Sequence, residues 1–427
     1  MAQRRKIGVI GAGNIGGELA RLCASKELGD VVMLDIPAKE SFAKGKALDL
    51  EQNSSVIGYD ASITGTGSWA DLAGADVVIV TAGIPRKPGQ SRDDLVAVNL
   101  PIIRDVADNA KKHCPDAFVV VISNPLDAMV YEFQRRAGWN PNMVAGMAGV
   151  LDSARFQLFV ARAAGVSIKD VRAMVLGGHG DDMVPILSQT TINGVPATQF
   201  IAKDALDAIV KRTRGGGGEI VNLMGTSAYY APASSAVAMA EAYLSDQKRL
   251  LAAACWLTGQ YGYKDIYMGV PCVIGGKGVE KIIELSLNDD EKAMLAKSAA
   301  SVQGIVDVVN KSALGRPSSR GGAVSTEARR RVALVDHARY LARTPACSST
   351  TLRRSGERSR ASRRITFSSA YLRRSIVSKA SSSLRSCGAW HARSTRSRSV
   401  HAGTSAARNL VSASSGESSP VEAAARA

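Results

Sequence analysis

The stretch KIGVIGAGNIGGELARLC, residues 6–23, decides the fold class of this chain. A short apolar run leads into Gly11, Gly13 and Gly16 in G-x-G-x-x-G spacing, and a helical pattern follows at once. Glycines suit this place because side chains would keep a pyrophosphate away from the backbone N–H groups at the helix N-terminus. Asp35 closes the next apolar run, 19 residues after Gly16, near the spacing of an acid that binds a ribose. The context predicts a dinucleotide site, and the carboxylate favours NAD because it would repel the 2′-phosphate of NADP. A glycine-rich turn with a surface aspartate is the alternative.

Further apolar runs extend the same pattern. The runs, rich in valine and isoleucine, are KIGVIG (6–11), VVMLD (31–35), DVVIVTAG (76–83) and FVVVISN (118–124). Helical patterns separate them, which is typical of a parallel sheet covered by helices. We therefore expect an α/β protein with a Rossmann-type doubly wound sheet over residues 1–150 and a C-terminal α+β substrate domain over residues 151–312.

The second half of the chain is predicted in less detail. A fifth apolar run, VRAMVLG (171–177), follows a helical stretch that ends at Gly165. Three further helices are expected over residues 203–213, 219–244 and 289–310. The GGGG stretch at residues 215–218 is interpreted as a hinge or turn between the first two of them.

The net charge of +16 is confined to one segment. Residues 313–427 carry 22 basic and 5 acidic groups, whereas the first 312 residues carry 32 basic and 33 acidic groups. The segment is rich in Arg, Ser and Ala and cannot bury enough apolar area to offset its ordering entropy. It is therefore predicted to be a disordered tail. Two interpretations stay open: an extension without function, or a basic arm that contacts nucleic acid.

The cysteine spacing and the length of the apolar stretches indicate where in the cell the protein works. The six cysteines show no C-x-x-C spacing, which argues against a zinc site or a disulfide framework. Asn14 and Glu18 interrupt the first apolar run too early for a secretion signal. Because no stretch approaches the roughly 18 apolar residues of a membrane-spanning helix, we expect a soluble, cytoplasmic protein that binds no metal.

Three stretches place polar side chains where open parallel sheets bind ligands. AGIPRKPGQSRDD (82–94) carries Arg86 and Arg92, and ISNPLD (122–127) carries Asn124. GVLDSARF (149–156) places Asp152 and Arg155 three residues apart, on one face of a helix. Taken singly, each stretch has a structural alternative: a solvated loop, an asparagine that caps a helix, and an ordinary surface ion pair.

A single histidine lies in the glycine-rich stretch LGGHGDDM (176–183). The chain has five histidines, and only His113 and His179 precede the basic segment. Oxidation of a hydroxyl carbon needs a group that accepts the hydroxyl proton, and near neutral pH an imidazole does this best. His113 fits the end of a helix, where a cation complements the helix dipole. His179 is therefore the candidate catalytic base, against the alternative of a structural histidine.

Taken together, GAGNIGG, Asp35, AGIPRKPGQSRDDL, SNPLD, GMAGVLDSARF and GGHGDDMVP resemble, in order and spacing, the malate dehydrogenases of the lactate-dehydrogenase-like branch. The resemblance covers residues from about 5 to 312, and residues 313–427 have no counterpart in it. It implies an NAD-dependent oxidoreductase of the tricarboxylic acid cycle that works as a homodimer or homotetramer.

The resemblance also implies roles for individual residues. His179 would accept the proton and Asp152 would orient its ring, while Arg155 would bind the carboxylate next to the reacting carbon. Arg92 would polarise the carbonyl oxygen and Arg86 would bind the distal carboxylate. Asn124 would contact both substrate and cofactor. The implied cofactor-binding residues are Gly11, Ala12, Gly13, Asn14, Ile15, Gly16, Asp35, Asn99, Ile122, Ser123 and Asn124.

Arg86 separates two substrates. Lactate dehydrogenases of this superfamily carry glutamine at the matching place, which suits a methyl group, whereas a guanidinium suits the second carboxylate of oxaloacetate. A charged site discriminates strongly because the wrong substrate leaves a buried charge unpaired. The resemblance therefore favours malate as the substrate, with lactate as the closest alternative and nucleic-acid binding through the basic segment as an alternative from another class.

Overall fold

The computed structural model describes residues 4–85 and 92–314. The predicted tail lies outside the described residues from residue 315 onward. The strands are β1 Lys6–Ile10, β2 Asp30–Leu34, β3 Ile63–Thr66, β4 Val77–Val80, β5 Phe118–Val121, β6 Val144–Gly146, β7 Val171–Arg172, β8 Val175–Leu176, β9 Val184–Pro185, β10 Thr191–Ile192, β11 Val195–Pro196, β12 Arg249–Thr258, β13 Lys264–Gly275 and β14 Gly278–Ile282. The helices are α1 Asn14–Ser25, α2 Glu40–Gln52, α3 Ser54–Ile57, α4 Arg92–His113, α5 Leu126–Ala137, α6 Gly149–Ala164, α7 Lys203–Met224, α8 Tyr230–Leu244 and α9 Asp289–Leu314.

The main sheet has the order β14-β13-β12-β6-β5-β4-β1-β2-β3. Its six strands from β3 to β6 are parallel, and the strand order reverses between β1 and β4. This is the predicted doubly wound Rossmann arrangement, which is thereby confirmed. Every residue of β4 and β5 is buried, which explains why these strands read as unbroken valine and isoleucine runs. In such sheets ligands bind at the carboxyl ends of the strands, near the point of reversal.

The C-terminal half extends the same sheet and adds two small ones. The long hairpin of β12 and β13 joins the parallel strands through the pairing of Ala254 with Gly146. Strands β7, β10 and β11 form one small antiparallel sheet, and β8 pairs with β9 in another. The predicted α+β character of this half is confirmed.

The apolar run at residues 171–177 does not form one strand, contrary to our prediction. Val171 pairs with Ile192 in one small sheet, whereas Leu176 pairs with Val184 in the other. The run changes partner because the backbone N–H of Val175 donates to the Oγ of Ser153, at 2.9 Å, within α6. A side chain of a neighbouring helix thus takes a donor that one continuous ladder would have used.

The predicted hinge at GGGG is also wrong, because α7 runs unbroken through residues 215–218. A Cβ atom at Gly216 would lie 3.2 Å from the Cδ of Arg155, so a glycine lets α7 approach α6 closely. An ion pair of 2.7 Å between Arg212 and Glu219 spans the glycines on the exposed side of the helix. These contacts offset the low helix propensity of glycine, which costs about 1 kcal/mol per residue.

The helix that follows β6 ends as predicted. Gly165 terminates α6 in the left-handed conformation, with φ of 68°. His113 is the last residue of α4, also as predicted. Within residues 4–85 and 92–314, we find no helix with both the length and the apolar character needed to cross a bilayer.

Candidate active site

The glycine-rich loop joins the end of β1 to the start of α1. Gly11 has a φ of 107°, and its N–H donates to the carbonyl of Leu34, which ties the loop to β2. A Cβ atom at Gly16 would lie 1.9 Å from the carbonyl oxygen of Gly11, so a side chain there is excluded. At Gly13 a Cβ atom would meet no atom within 4 Å. The loop therefore packs tightly on one side and leaves open space at the first turn of α1, where an anion can bind the helix N-terminus.

Asp35 lies directly after β2 and beside this loop. Its Oδ2 accepts the N–H of Ala12 at 3.0 Å, and its Oδ1 accepts the N–H of Ile36 at 2.8 Å. Lys46 of α2, which the sequence analysis did not single out, donates from Nζ to the carbonyl of Gly13 at 2.8 Å. Burial lowers the pKa of Lys46, and the Asp35 carboxylate partly offsets this effect. The acidic side chain of Asp35 and the basic side chain of Lys46 thus lie on either side of the open first turn of α1.

Asn99 links the ends of two neighbouring strands. Its Nδ2 donates to the carbonyl of Asn124 at 2.7 Å and to that of Ile84 at 3.1 Å, and its Oδ1 accepts the N–H of Ile84 at 2.8 Å. The Oγ of Ser123 donates to the carbonyl of Ala82 at 2.6 Å, which closes the same junction. Asn99 is 1% exposed, whereas the Asn124 side chain is exposed beyond the junction. Buried polar contacts therefore fix the segments that follow β4 and β5 and leave Asn124 accessible.

His179 lies in the loop between β8 and β9, and Asp152 lies in the first turn of α6. The ring Nδ1 is 2.7 Å from the Oδ2 of Asp152, which is buried. The histidine side chain is 18% exposed. With Nδ1 committed to the carboxylate, proton exchange with a substrate falls to Nε2. The structure thus brings together the two residues that the sequence analysis paired.

Arg155 shares the same carboxylate. Its Nη1 donates to the Oδ1 of Asp152 at 3.0 Å, and the two side chains are 13% and 3% exposed. The alternative of a surface ion pair is therefore wrong. Within the described residues the Nε of Arg155 has no acceptor. A buried guanidinium that keeps a donor unpaired is suited to an anionic ligand.

The charges around the imidazole favour its protonated form. Burial acts to lower the pKa of His179, but the charge and hydrogen bond of Asp152, together with the charge of Asp127, outweigh it and raise the pKa. Arg155 opposes this rise. An imidazole with a raised pKa that keeps some contact with solvent can take up a proton and return it near neutral pH.

Asp127 and Ser298, like Lys46, are site residues that sequence reasoning missed. The Oδ2 of Asp127, in α5, accepts the backbone N–H of His179 at 2.9 Å. The Oγ of Ser298, in α9, accepts the N–H of Gly178 at 2.9 Å. Asp127 lies in the ISNPLD stretch and could have been found there, three residues after Asn124. Ser298 carried no signal, because a serine within a long helix is ordinary.

The two arginines of the AGIPRKPGQSRDD stretch flank the start of α4 in the sequence. Arg92 is the first residue of α4, on the segment that follows β4, as predicted. Arg86 lies outside the described residues.

Two protein-family models match consecutive parts of this chain. Residues 5–146 match the lactate/malate dehydrogenase NAD binding domain, and residues 149–312 match the lactate/malate dehydrogenase alpha/beta C-terminal domain. The chain belongs to the lactate/malate dehydrogenase family. A malate dehydrogenase of Sorangium cellulosum is 76% identical over 312 residues, which is 73% of this chain and 100% of that protein. A malate dehydrogenase of Myxococcus xanthus is 59% identical over 312 residues, 72% of this chain and 99% of that protein.

Solved structures include both branches of the family. Malate dehydrogenase of Cryptosporidium parvum has a TM-score of 0.71 and 48% identity, covering 72% of this chain and 100% of that chain. Lactate dehydrogenase of the same organism, solved with lactic acid and nicotinamide adenine dinucleotide, has a TM-score of 0.71 and 44% identity, covering 74% of this chain and 100% of that chain. Backbone likeness alone therefore does not separate the two substrates.

NAD is the cofactor of this family member, and the site fits it. The first turn of α1 has open space at Gly13 for a pyrophosphate, and the Asp35 carboxylate lies beside the same loop. The exposed Asn124 follows β5 at the same edge of the sheet. These residues match the requirements of a dinucleotide: N–H donors for phosphates, an acceptor for a ribose and an amide for the nicotinamide end.

Proposed function

We propose that the chain is a malate dehydrogenase, which interconverts (S)-malate and oxaloacetate with NAD. The observation that carries this function is the cluster of His179 and Arg155 around the buried carboxylate of Asp152, which combines a proton acceptor with a cation for a carboxylate. The 76% identity to a protein named malate dehydrogenase, over that protein's full length, favours malate over lactate. The experiment is to supply (S)-malate and NAD and to identify the product. Oxaloacetate formation is the expected result, and no NADH formation would reject the proposal.

The proton step follows from the charges at His179. When malate is oxidised, Nε2 of His179 takes the hydroxyl proton, and the Asp152 carboxylate stabilises the imidazolium that results. When bound, NAD supplies the hydride acceptor. In the reverse direction the imidazolium returns its proton to the oxygen of oxaloacetate. The raised pKa of His179 favours the state that begins this reduction.

We propose that three arginines bind the dicarboxylate substrate. Arg155 binds the carboxylate next to the reacting carbon, and its unpaired Nε supports this role. Arg92 polarises the carbonyl oxygen, and its place at the start of α4 puts it on the segment that follows β4. Arg86 binds the distal carboxylate, and Asn124 contacts substrate and cofactor together.

The cofactor contacts are proposed for the carboxyl edge of the parallel strands. The loop residues bind the pyrophosphate, Asp35 binds the ribose, and the segment after β5 binds the nicotinamide end. Asn99 holds that segment in place through its bond to the Asn124 carbonyl. The proposed residues are Gly11, Ala12, Gly13, Asn14, Ile15, Gly16, Asp35, Asn99, Ile122, Ser123 and Asn124.

Replacing Asp35 with serine is expected to weaken the preference for NADH. The change removes a charged hydrogen-bond acceptor worth about 1.5–3 kcal/mol, so KM for NADH should rise at least about tenfold. It also removes the repulsion of a 2′-phosphate, so NADPH should be used better. The measurement is kcat/KM for both cofactors, with Asp49→Ser, an exposed position of α2, as the matched control. An unchanged ratio of the two values would show that Asp35 does not face the ribose.

Deleting residues 313–427 is expected to leave kcat and KM for oxaloacetate unchanged, because the proposed catalytic and binding residues lie within residues 11–179 and Ser298, which anchors the histidine loop, also precedes the deletion. The rival function, nucleic-acid binding through the basic segment, predicts that the deletion removes function. The measurement compares both chains in the NADH assay and in salt-dependent binding to duplex DNA. Loss of dehydrogenase activity on deletion would give the segment a role in the enzyme.

We also propose the setting in which the enzyme works. Interconversion of malate and oxaloacetate places it in the tricarboxylic acid cycle, and buried free thiols at Cys23, Cys114, Cys255 and Cys272 support a reducing, cytoplasmic location. Division into an NAD-binding domain over residues 1–150 and a substrate domain over residues 151–312 is supported by the change from parallel to antiparallel strands after β6.

A homo-oligomer is the proposed assembly. Helices α2 and α3 expose large apolar side chains, with Phe42 at 54%, Leu48 at 57%, Val56 at 83% and Ile57 at 47%. A cluster of this kind on a globular protein is typical of a surface that is covered by another chain. Light scattering of the purified chain distinguishes a dimer or tetramer from a monomer.

A further inference from the structure

Two buried side chains hold consecutive peptide N–H groups of the histidine loop. Ser298 accepts the N–H of Gly178 and Asp127 accepts the N–H of His179, both at 2.9 Å. Ser298 is 0% exposed and Asp127 is 4% exposed. The fit is close, because a Cβ atom at Gly178 would lie 2.4 Å from the Cγ2 of Val302 and 3.3 Å from the Oδ2 of Asp127. The imidazole is thus carried on a backbone that is fixed from α5 and from α9.

The two side chains each accept one backbone N–H group, but they differ in chemistry. A neutral hydroxyl is sufficient at Gly178, whereas a carboxyl group is used at His179. Within the described residues the Oδ1 of Asp127 is buried without a partner. Burial raises the pKa of Asp127 to about 6, and the charge of His179 acts in the opposite direction. A buried acid with one unpaired oxygen is costly for folding, so anchoring a backbone N–H does not explain its presence.

The position of the charge relative to the imidazole offers a reason. Asp127 approaches His179 from α5, while Asp152 and Arg155 approach it from α6. The charge of Asp127 favours the protonated ring, as that of Asp152 does, and Arg155 opposes both. Other charged groups on the surrounding elements are Asp181 and Asp182 of the same loop, Arg214 of α7, which donates to the Met183 carbonyl, and Lys297 of α9, which pairs with Asp182.

We propose that Asp127 is a positioning residue for the proton step: it fixes the backbone of His179 and supplies a second buried negative charge that favours the imidazolium. This role rests on the proposed function. Asp152 orients the ring through Nδ1, while Asp127 acts through the backbone and through space. Ser298 shares the anchoring role but contributes no charge.

The test compares Asp127→Asn with Ser298→Ala. The asparagine keeps the shape and can still accept the N–H of His179, so it removes the charge and keeps the anchor. The alanine removes the other anchor and no charge. For each full-length variant, the pH dependence of kcat/KM for oxaloacetate is measured, and the His179 ring is titrated by NMR. The His179→Asn variant identifies the His179 signal among the five histidines.

Asp127→Asn is expected to lower the pKa of His179. Reduction of oxaloacetate needs the imidazolium, so the fall of kcat/KM at high pH should move to lower pH, whereas in Ser298→Ala it should stay in place. Asp127→Ala, which loses anchor and charge together, should lower kcat about tenfold or more. Equal titration of His179 in Asp127→Asn, Ser298→Ala and the unmodified protein would overturn the proposal.

Stability provides a second readout that a merely structural role would not produce. The pKa of Asp127 is about 6 in the fold against 3.8 in the unfolded chain, so ionisation costs stability as pH rises between these values. At neutral pH, Asp127→Asn should therefore unfold at the same temperature as the unmodified protein or at a higher one. A variant that fails to fold would also overturn the proposal. Because the NMR titration needs no substrate, an inactive unmodified protein would reject the proposed function and leave this result intact.

Discussion

His179→Asn is expected to lower turnover of oxaloacetate by at least about a hundredfold, the lower end of what general acid–base catalysis supplies. Asparagine can still donate a hydrogen bond to Asp152, but it cannot carry the transferred proton. NADH binding should change little, because the proposed cofactor residues lie in other segments, residues 11–35 and 99–124. Steady-state kinetics and fluorescence titration with NADH separate the two effects.

The matched control is His113→Asn, at the end of α4, where the imidazole lies in the last turn of a helix. This variant should keep the kcat of the unmodified protein. Unchanged turnover in His179→Asn would remove that residue from the proton step. A loss of NADH binding equal to the loss of turnover would place it in cofactor binding.

Arg86→Gln is expected to reverse the substrate preference in part. The change removes the proposed partner of the distal carboxylate, so kcat/KM for oxaloacetate should fall about a hundredfold or more, as for other sites that leave a charge unpaired. Activity with pyruvate should rise. In the unmodified protein the methyl group of pyruvate would remove water from the proposed guanidinium of Arg86 without giving it a partner, and this cost is absent in Arg86→Gln. Initial rates of NADH oxidation with each acid give both values.

Arg136→Gln serves as the matched control for Arg86→Gln, since Arg136 forms a half-exposed ion pair with Asp108 in the second of the two described ranges. It should leave both substrates unaffected. Equal losses with oxaloacetate and pyruvate in Arg86→Gln would show that Arg86 either stabilises the fold or binds the carboxylate next to the reacting carbon, which both acids have. No change with either acid would place it outside the site.

The parallel strands were predictable because burial on both faces imposes a simple pattern. Residues of β4 and β5 are buried without exception, so their sequences are continuous apolar runs. The short strand β6, Val144–Gly146, has only three residues and gives no comparable signal. The run at residues 171–177 is apolar apart from Arg172, and its division between two sheets involves Ser153, a contact between distant parts of the chain. Composition does not encode such contacts.

Helix α7, which runs through GGGG, is a second case in which a tertiary contact could not be predicted from the sequence. Glycine propensity predicted a break, whereas packing of Gly216 against Arg155 keeps α7 continuous. Local preference is weak, about 1 kcal/mol per glycine, and tertiary contact overrides it.

The site was predictable where a motif combines residue type with position. The family resemblance paired His179 with Asp152, and their ring and carboxylate are 2.7 Å apart. Ser298 was not identified, because its role is to accept a backbone N–H group, and Asp127, which accepts another, was overlooked although it lies within the ISNPLD stretch. Backbone donors are present at every residue except proline, so a partner of a backbone group leaves no signature of its own.

The most direct test of the account is the ratio of kcat/KM for oxaloacetate to that for pyruvate, measured on the full-length protein with NADH. The account predicts a strong preference for oxaloacetate, of about a hundredfold or more, because pyruvate has no second carboxylate to pair with the proposed guanidinium of Arg86. Equal or better use of pyruvate would contradict it.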